Sequence, residues 1–286
     1  MNLELTVKQS TIFLAILIVA RSTSFLFSKL LITSMDIHSI LSFRFLLAFL
    51  ILLIIFRKEL PALSKKIIFY GMVIGTFFSA TMVSELICLQ KCSTGTAAFL
   101  ENSAVVIVPL LNACIMKKFP ERKIIISSCI ALVGLALLTL FNTAQSFNYY
   151  LLFGLASAIF YSLAILCMGF FSQKENPLLI GIIQVGAIGL YSLIIALVNG
   201  NLQWVTSSTN YLYLLYLTII PSTIGFTFQP LCQKKVPSNI AGLFCALSPC
   251  SCTILGFLFL GETLTPIAAL GCILILSGII IPNMKK

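Results

Sequence analysis

The sequence predicts an all-α membrane protein of ten transmembrane helices, arranged as two inverted five-helix repeats. Hydrophobic residues make up 59% of the 286 residues and charged residues only 9%, whereas a soluble domain carries about 25% charged residues. Apolar runs long enough to cross a membrane recur along the whole chain. In addition, the pattern that begins at Thr94 begins again at Ser238, 144 residues later and half the chain away. Such internal duplication is typical of membrane transport proteins.

Ten segments each supply about 20 mostly apolar residues, the length that a membrane span needs. Their predicted bounds are 11–33, 37–56, 67–90, 95–116, 124–141, 149–171, 178–198, 211–233, 239–260 and 266–282. The loops between them are short, which leaves no room for a separate soluble domain. We interpret the first run as a span and not as a cleavable signal peptide, because no clear small-residue cleavage site follows it. Five spans per repeat is an odd number, so the second repeat (144–286) enters the membrane from the side opposite to the first (1–143).

The basic residues predict the orientation of the chain. If the amino terminus is cytoplasmic, 14 of the 18 lysines and arginines lie in cytoplasmic segments, and only Lys91 lies in an outer loop. This bias favours two cytoplasmic termini. We expect the protein in a plasma membrane of the bacterial cytoplasmic (cell inner membrane) type. It also explains the net charge of +10, because these residues face anionic lipid. A nucleic-acid partner is therefore not needed.

Five ionisable residues interrupt the apolar spans, and all belong to the first repeat: Arg21, Lys29, Arg44, Glu85 and Glu101. Each costs about 2.5–3.5 kcal/mol at a helix centre, so each is expected to face protein or a water-filled cavity. The depth of Arg21 and Glu101 favours a role in lining a cavity. For Lys29 and Arg44, structural pairing or snorkelling to the interface is favoured. Glu85 fits either interpretation.

A substrate site is predicted between the two repeats. The first repeat contributes charge and the second contributes amides and hydroxyls. The candidate substrate-binding residues are Arg21, Glu85, Glu101, Asn102, Tyr161, Gln229 and Ser248. The five buried charges are three cations and two carboxylates. The surplus cation is suited to binding a substrate carboxylate, and Glu101 is suited to binding an amine or a coupling proton. The alternative is that the charges pair with one another for structural reasons. Pro109 and Pro249 are candidate hinges, because an internal proline breaks the backbone ladder; a tolerated kink is the alternative.

Nothing in the sequence predicts an enzyme, a cofactor or a metal site. The one histidine, His38, has no nucleophile near it in the chain and is expected in an exposed loop. The ten cysteines lie almost entirely inside apolar runs and are interpreted as small apolar filler. An intramembrane enzyme acting on lipid is disfavoured as well, because no catalytic constellation is recognisable in the sequence.

Several stretches in order along the chain resemble the EamA-type, ten-span members of the drug/metabolite transporter superfamily. These stretches are 24–29, 44–49, 95–100 with 105–111, and 258–265, which contains Gly261-Glu262. The resemblance implies a proton-coupled or exchange-type carrier whose central cavity is lined by spans one, three, four, six, eight and nine. It also implies a substrate among amino acids, amines and other metabolites, often exported. Arg21 departs from the family, in which many members carry tryptophan, and the first repeat has Lys117–Glu121 in place of the Gly-Glu turn.

The sequence thus predicts a secondary transporter, an exporter or exchanger of a small polar metabolite such as an amino acid, working by alternating access at the repeat interface. A non-transporting membrane scaffold or sensor with the same fold is the alternative. The small-residue pair Gly71 and Gly75 predicts close helix packing. That packing could lie within one chain or in a homodimer.

Overall fold

The computed structural model describes residues 6–92, 94–139, 149–252 and 265–281. Within these ranges the regular structure is helical and contains no strand. In the first half the helices are α1 Val7–Ser22, α2 Ser24–Leu31, α3 Ile37–Ile55, α4 Lys65–Lys91, α5 Thr94–Asn102, α6 Ala104–Met116 and α7 Arg122–Thr139, with a 3-10 turn at Leu60–Ala62. The second half contains α8 Tyr150–Phe171, α9 Pro177–Val198, α10 Ser208–Leu217, a π-helix Thr218–Phe226, α11 Thr227–Gln233, α12 Ser238–Phe244, α13 (described over 247–252) and α14 Pro266–Ile280.

Seven of the described helical segments are long and apolar enough to cross a membrane. They are Val7–Leu31, Ile37–Ile55, Lys65–Lys91, Thr94–Met116, Tyr150–Phe171, Pro177–Val198 and Ser208–Gln233. Each agrees with a predicted span to within a few residues, which confirms the prediction of an all-helical membrane protein. The other predicted spans coincide with α7, with α12 and α13, and with α14. The family-like stretch 258–265 lies almost wholly outside the described residues.

The helices begin where the sequence supplies a partner for the free N–H groups of the first turn. Thr6 forms a capping box with Gln9 at the start of α1. The Asp36 carboxylate accepts from the backbone of His38 and Ser39 at the start of α3. His38 therefore lies in the first turn of a helix and is half-buried, so the expectation of an exposed loop residue was wrong.

Glycines allow pairs of helices to approach closely within the chain. A Cβ atom on Gly71 or Gly75 of α4 would lie 2.6 Å from the side chains of Ile183 and Ala187 on α9. The small-residue pair therefore packs within one chain, which was one of the two predicted alternatives. Similarly, a Cβ on Gly134 of α7 would lie 2.7 Å from a backbone oxygen of α14.

Contacts between loops mark the two ends of the helix bundle. At one end the backbone N–H of Asp36 donates to Gln203 at 2.8 Å, and the Ser39 hydroxyl donates to the carbonyl of Asn201 at 3.0 Å. Elsewhere the Gln173 amide donates to the carbonyl of Lys234 at 2.5 Å. The loops joined in each pair are the ones that the predicted topology assigns to the same side.

Four helical segments are interrupted along the part of their length that the structure describes. The first span breaks at Thr23, the fourth at Ser103, and the ninth at Cys245 and Ala246, while the eighth contains the π-helix. Hydroxyl groups accompany the first two breaks: Thr23 donates to the carbonyl of Ala20 at 2.7 Å, and Ser103 donates to that of Leu100 at 2.6 Å. Such bonds back to the preceding turn bend a helix. Inside a membrane, irregular backbone is tolerated where it is buried in protein or lines a cavity.

Candidate substrate site

A small cavity lies among the interrupted segments. It encloses about 20 Å³, enough for a water molecule and far too little for a metabolite. Its lining comes from the first, third, fourth, sixth, eighth and ninth predicted spans, and six of the seven candidate residues belong to it: Arg21, Glu85, Glu101, Asn102, Tyr161 and Ser248. The seventh, Gln229, lies behind the lining as a hydrogen-bond partner of Arg21.

Arg21 is held mainly by the second half of the chain. Its Nη1 donates to Gln229 Oε1 at 2.5 Å and to the Tyr161 hydroxyl at 3.3 Å. The guanidinium carbon lies 4.0 Å from the ring centre of Phe226 and 5.2 Å from those of Phe78 and Tyr161. Cation–π attraction of this kind strengthens when the charge is desolvated, and Arg21 is only 8% exposed. Its Nε has no hydrogen-bond partner in the described structure.

Gly225 of the π-helix makes room for the Arg21 side chain. A Cβ atom at this position would lie 2.5 Å from Arg21 Cγ and 3.2 Å from Cδ. Real Cβ atoms do not approach so closely, so any larger residue would push the arginine stem aside. The glycine thus permits the guanidinium to reach Gln229 and the rings.

Glu85 on α4 and Glu101 on α5 both line this cavity, and their carboxyl groups interact with each other. Both are deeply buried, with 2% and 4% of their surface exposed. Oε2 of each remains without a hydrogen-bond partner among the described residues. Glu85 also interacts electrostatically with Arg44 and Arg21.

Arg44 does not snorkel to the interface. It is 1% exposed, its Nε donates to the Ser222 hydroxyl at 2.5 Å, and its guanidinium lies 4.8 Å from the Phe45 ring centre. It interacts electrostatically with Glu85 and with Arg21. Arg44 therefore forms an outer layer behind the cavity, and the snorkelling alternative was wrong for this residue.

Lys29 has a structural position. Its ammonium group donates to the backbone carbonyls of Leu89 and of Cys92, the latter at 3.0 Å. These carbonyls belong to the end of α4, where the last turn lacks donors from within the helix. Lys29 thus caps α4 from the neighbouring helix, as the structural alternative predicted.

The uncharged candidate residues complete the lining from both halves. Asn102 donates from Nδ2 to the Ala98 carbonyl at 2.7 Å, which leaves its carbonyl oxygen for other partners. Tyr161 interacts with Cys245, the residue 144 positions after Glu101. Among buried residues of the described second half, none is charged. The two halves therefore differ in chemistry, as the sequence predicted.

The two candidate hinge prolines sit differently relative to the helix breaks. Pro249 lies three residues after Ala246, within α13. The Cys245 carbonyl, which an N–H at position 249 would reach, accepts instead from the backbone N–H of Ser248 at 3.0 Å. Pro109 lies inside α6, six residues beyond the break at Ser103. The geometry for a hinge is therefore better at Pro249.

The sequence reasoning missed the aromatic rings and the glycine around Arg21. Phe78 and Phe226 are two of 23 phenylalanines, and no spacing sets them apart from lipid-facing ones. Gly225 carries no motif. As for metals, the described residues contain no group of three or more histidine, cysteine or acidic side chains that could hold an ion.

Comparison with known proteins defines the class of protein. The sequence model of the EamA-like transporter family matches residues 9–140 and again residues 148–284. The chain therefore belongs to the EamA-like transporter family, within the drug/metabolite transporter superfamily. Both the membrane location and a transport role follow at this level.

Individual relatives agree with this assignment. The chain is 25% identical over 279 residues to the uncharacterized transporter YetK of Bacillus subtilis (strain 168), covering 92% of this chain and 83% of the relative. It is 23% identical over 209 residues to an uncharacterized transporter of Archaeoglobus fulgidus, covering 73% of this chain and 74% of that protein. A crystal structure of another protein superposes with a TM-score of 0.78 at 15% identity, covering 96% of this chain and 97% of that one. This last likeness shows the fold.

Proposed function

We propose that the protein is a secondary transporter, an exporter or exchanger, of a small metabolite that carries both an amino and a carboxyl group. The observation that carries this proposal is that Arg21, Glu85 and Glu101 line one small cavity. Arg21 Nε and one oxygen of each acid lack partners in the described structure. A substrate carboxylate would bind the guanidinium, and a substrate ammonium would bind the two acids.

The proposed mechanism is alternating access around this cavity. The cavity of about 20 Å³ is too small for any metabolite, so the described state corresponds to a closed carrier and not to an open channel. Opening requires the two halves to separate on one side. Arg21 stands at this boundary, because it originates in the first half and is bonded to Gln229 and Tyr161 of the second.

The proposed architecture is ten spans in two inverted repeats, 1–143 and 144–286. Helices α7 and α14 support it, since Gly134 and Gly278 lie 144 residues apart and make matching contacts. A Cβ on Gly134 would lie 2.7 Å from the Gly271 carbonyl, and a Cβ on Gly278 would lie 2.7 Å from that of Ser127, which precedes Gly271 by the same 144 residues. Reciprocal contacts of this kind are expected across a two-fold axis. The double match of the family model is compatible with the same division.

The proposed orientation places both termini in the cytoplasm of a cell with the protein in its inner membrane. This proposal rests on the excess of basic residues in the loops assigned to the cytoplasm.

The function is tested by comparing metabolite levels in cells that make the protein with those in cells that lack it, inside and outside the cell. Candidates that change are then tested in vesicles containing the purified protein. We expect a zwitterionic metabolite to be transported by the wild type, and Arg21→Ala and Glu101→Gln each to reduce its flux to background at equal protein level. Arg57→Ala and Glu121→Gln are matched controls at exposed positions and should transport normally.

Normal flux in both site variants would exclude the proposed site. Absence of any transported compound, with the protein folded and inserted, would favour the scaffold or sensor alternative instead.

A further inference from the structure

We propose that Arg44 is a positioning residue, which holds the guanidinium of Arg21 in place through the π-helix Thr218–Phe226. This inference rests on the proposed function, because Arg21 is the group that would bind the substrate carboxylate. Arg44 lies on α3 and is not among the described residues that line the cavity. It would therefore act on the substrate only through other side chains.

Arg44 is bonded to the π-helix inside the protein. It is 1% exposed, and a charged side chain within a membrane span needs partners in the protein. Its Nε donates to the hydroxyl of Ser222 at 2.5 Å, and Ser222 is fully buried in the π-helix. A hydrogen bond from a charged donor is stronger than one between neutral groups, and it strengthens further away from water. This bond therefore joins α3 firmly to the π-helix.

A ring contact joins the same two elements a second time. Phe45, the neighbour of Arg44 in α3, lies edge-on to Phe226 at the end of the π-helix, with 5.2 Å between the ring centres. Both phenylalanines are buried. Consecutive residues of α3 thus hold Ser222 and Phe226, which lie four residues apart. Two such contacts oppose both a shift of the π-helix along its axis and a rotation about it.

The π-helix holds Arg21 from its other contacts. The ring centre of Phe226 lies 4.0 Å from the Arg21 guanidinium carbon. Gly225 adjoins the stem of Arg21, since a Cβ atom there would lie 2.5 Å from Cγ. Pro221 lacks the N–H for a ladder bond, so the register of this segment depends on contacts from outside it. A rotated π-helix would move the ring away from the guanidinium and bring a larger residue against the stem.

Arginine-selective NMR spectroscopy of the purified protein, without any substrate, tests this coupling. The chain contains four arginines, so ¹⁵N placed only in arginine gives four Nε–H signals. Arg21 and Arg44 are buried, whereas Arg57 and Arg122 are exposed. The ring currents around Arg21 should displace its signal from those of the exposed arginines, and Arg21→Lys identifies it. Ser222→Ala should move the Arg21 signal towards the exposed ones, and Arg44→Met should do the same.

Ser192→Ala is the matched control. Ser192 is fully buried on α9, and its hydroxyl has no hydrogen-bond partner among the described residues. This variant removes a buried hydroxyl without affecting the Arg44–Ser222 bond and should leave the Arg21 signal unchanged. A double variant of Arg44→Met and Ser222→Ala should move the signal no further than either single change, because both break the same bond.

The spectra can overturn the proposal in three ways. An unmoved Arg21 signal in both single variants would exclude the positioning role, and so would additive shifts in the double variant. The wild type is decisive by itself, whether or not the variants fold. The Arg44 Nε–H should persist after transfer to D₂O, because it is bonded and buried, and rapid exchange would show that the bond to Ser222 is absent.

The consequence for binding is measured with the transported compound and an analogue that lacks its carboxylate. Ser222→Ala should weaken binding of the first by about tenfold, as expected for one lost hydrogen bond to a charged group, and leave binding of the second near the wild-type level. Equal weakening of both would mean a purely structural role. A shifted Arg21 signal without any transported compound contradicts the proposed function alone, and transport with an unmoved signal contradicts the positioning role alone.

Discussion

Two basic residues of the first span show how similar side chains acquire different roles. Lys29 satisfies the carbonyls of Leu89 and Cys92 at the end of a helix, whereas Arg21 lies against aromatic rings and an amide beside a cavity. The planar guanidinium can stack and donate in several directions at once, and a lysine ammonium cannot reproduce that arrangement. The local partners, and not the charge itself, distinguish a structural group from a candidate binding group.

For a substitution of Lys29 we therefore expect the protein to be less stable but to transport normally. Lys29→Met leaves buried carbonyls unsatisfied, and hydrogen bonds to a charged group contribute about 1.5–3 kcal/mol each. The midpoint of thermal unfolding in detergent should fall, while flux per folded molecule stays near the wild-type level. Lys91→Met, at an exposed residue of α4, is the control. A normal unfolding temperature with impaired flux would place Lys29 in the transport site instead.

At Gly225 we expect a loss of transport caused by displacement of Arg21. A Cβ at Gly225 would lie 2.5 Å from Arg21 Cγ, so Gly225→Ala should move the guanidinium away from Gln229. Overpacking in a well-packed interior costs about 1–3 kcal/mol, and the flux should fall together with affinity for a substrate carboxylate. Substrate analogues with and without a carboxylate distinguish the two effects, because a purely structural defect would weaken binding of both equally.

Ile224→Ala is the matched control, since the Ile224 side chain is exposed in the same π-helix. Unchanged discrimination between the two analogues in Gly225→Ala would contradict the positioning role.

At the scale of the helices, sequence periodicity and composition were sufficient to predict the seven spans that the described residues support, but not their interruptions. An apolar run of about 20 residues predicts a span through the physics of the bilayer alone. The break at Cys245 and Ala246 depends on Pro249 together with the particular carbonyls that neighbouring N–H groups reach, and the π-helix around Pro221 carries no periodic signal. Proline marks where a break is permitted, and tertiary contacts decide its form.

Restoring the backbone N–H that Pro249 lacks in the ninth span should slow the transport cycle. Pro249→Ala supplies an N–H for the Cys245 carbonyl, which Ser248 N bonds in its place. A proline inside a helix costs about 3 kcal/mol or more, so the straighter helix should be as stable as the wild type or more stable. Turnover should fall several-fold with little change in substrate affinity, measured by flux and by equilibrium binding. Pro109→Ala is the comparison, because Pro109 lies six residues beyond its break; an equal or larger effect there would contradict the assignment of the hinge to Pro249.

At the scale of the whole molecule, the proposed duplication is symmetric in the packing of α7 against α14 and asymmetric in its buried charges. The sequence predicted the asymmetry, because the buried charges stand in one half, and six of its seven candidate site residues line one cavity. It could not predict that Glu85 would contact Glu101 or that Arg21 would lie among rings, since those contacts depend on side-chain directions at three or more helices. Which charged side chains contact one another depends on the tertiary structure and cannot be predicted from composition.

The symmetric packing makes a quantitative prediction about α7 and α14. Because a Cβ atom on Gly134 or on Gly278 would lie the same 2.7 Å from a backbone oxygen of the facing helix, Gly134→Ala and Gly278→Ala should destabilise the protein by similar amounts. The expected loss is about 1–3 kcal/mol each, and thermal unfolding in detergent measures it. Gly200→Asn is the control, since a Cβ there meets nothing within 4 Å and its positive φ of 65° suits asparagine. Strongly unequal effects of the two alanines would contradict the proposed two-fold relation.

The proposed orientation predicts which loops reporters will find on each side of the membrane. A fusion that ends at residue 200, beside the loop joined to Asp36 through Gln203, should be active with alkaline phosphatase, which works only outside the cytoplasm. One that ends at residue 174, next to the contact between Gln173 and Lys234, should be active only with a reporter that needs the cytoplasm. The physical reason is the preference of Lys and Arg for the cytoplasmic side, combined with the contacts that keep each loop pair at one end. The reverse pattern would contradict the proposed orientation, because it would show that the basic loops lie outside the cytoplasm. Activity of both reporters at one site would indicate that the chain inserts in two orientations.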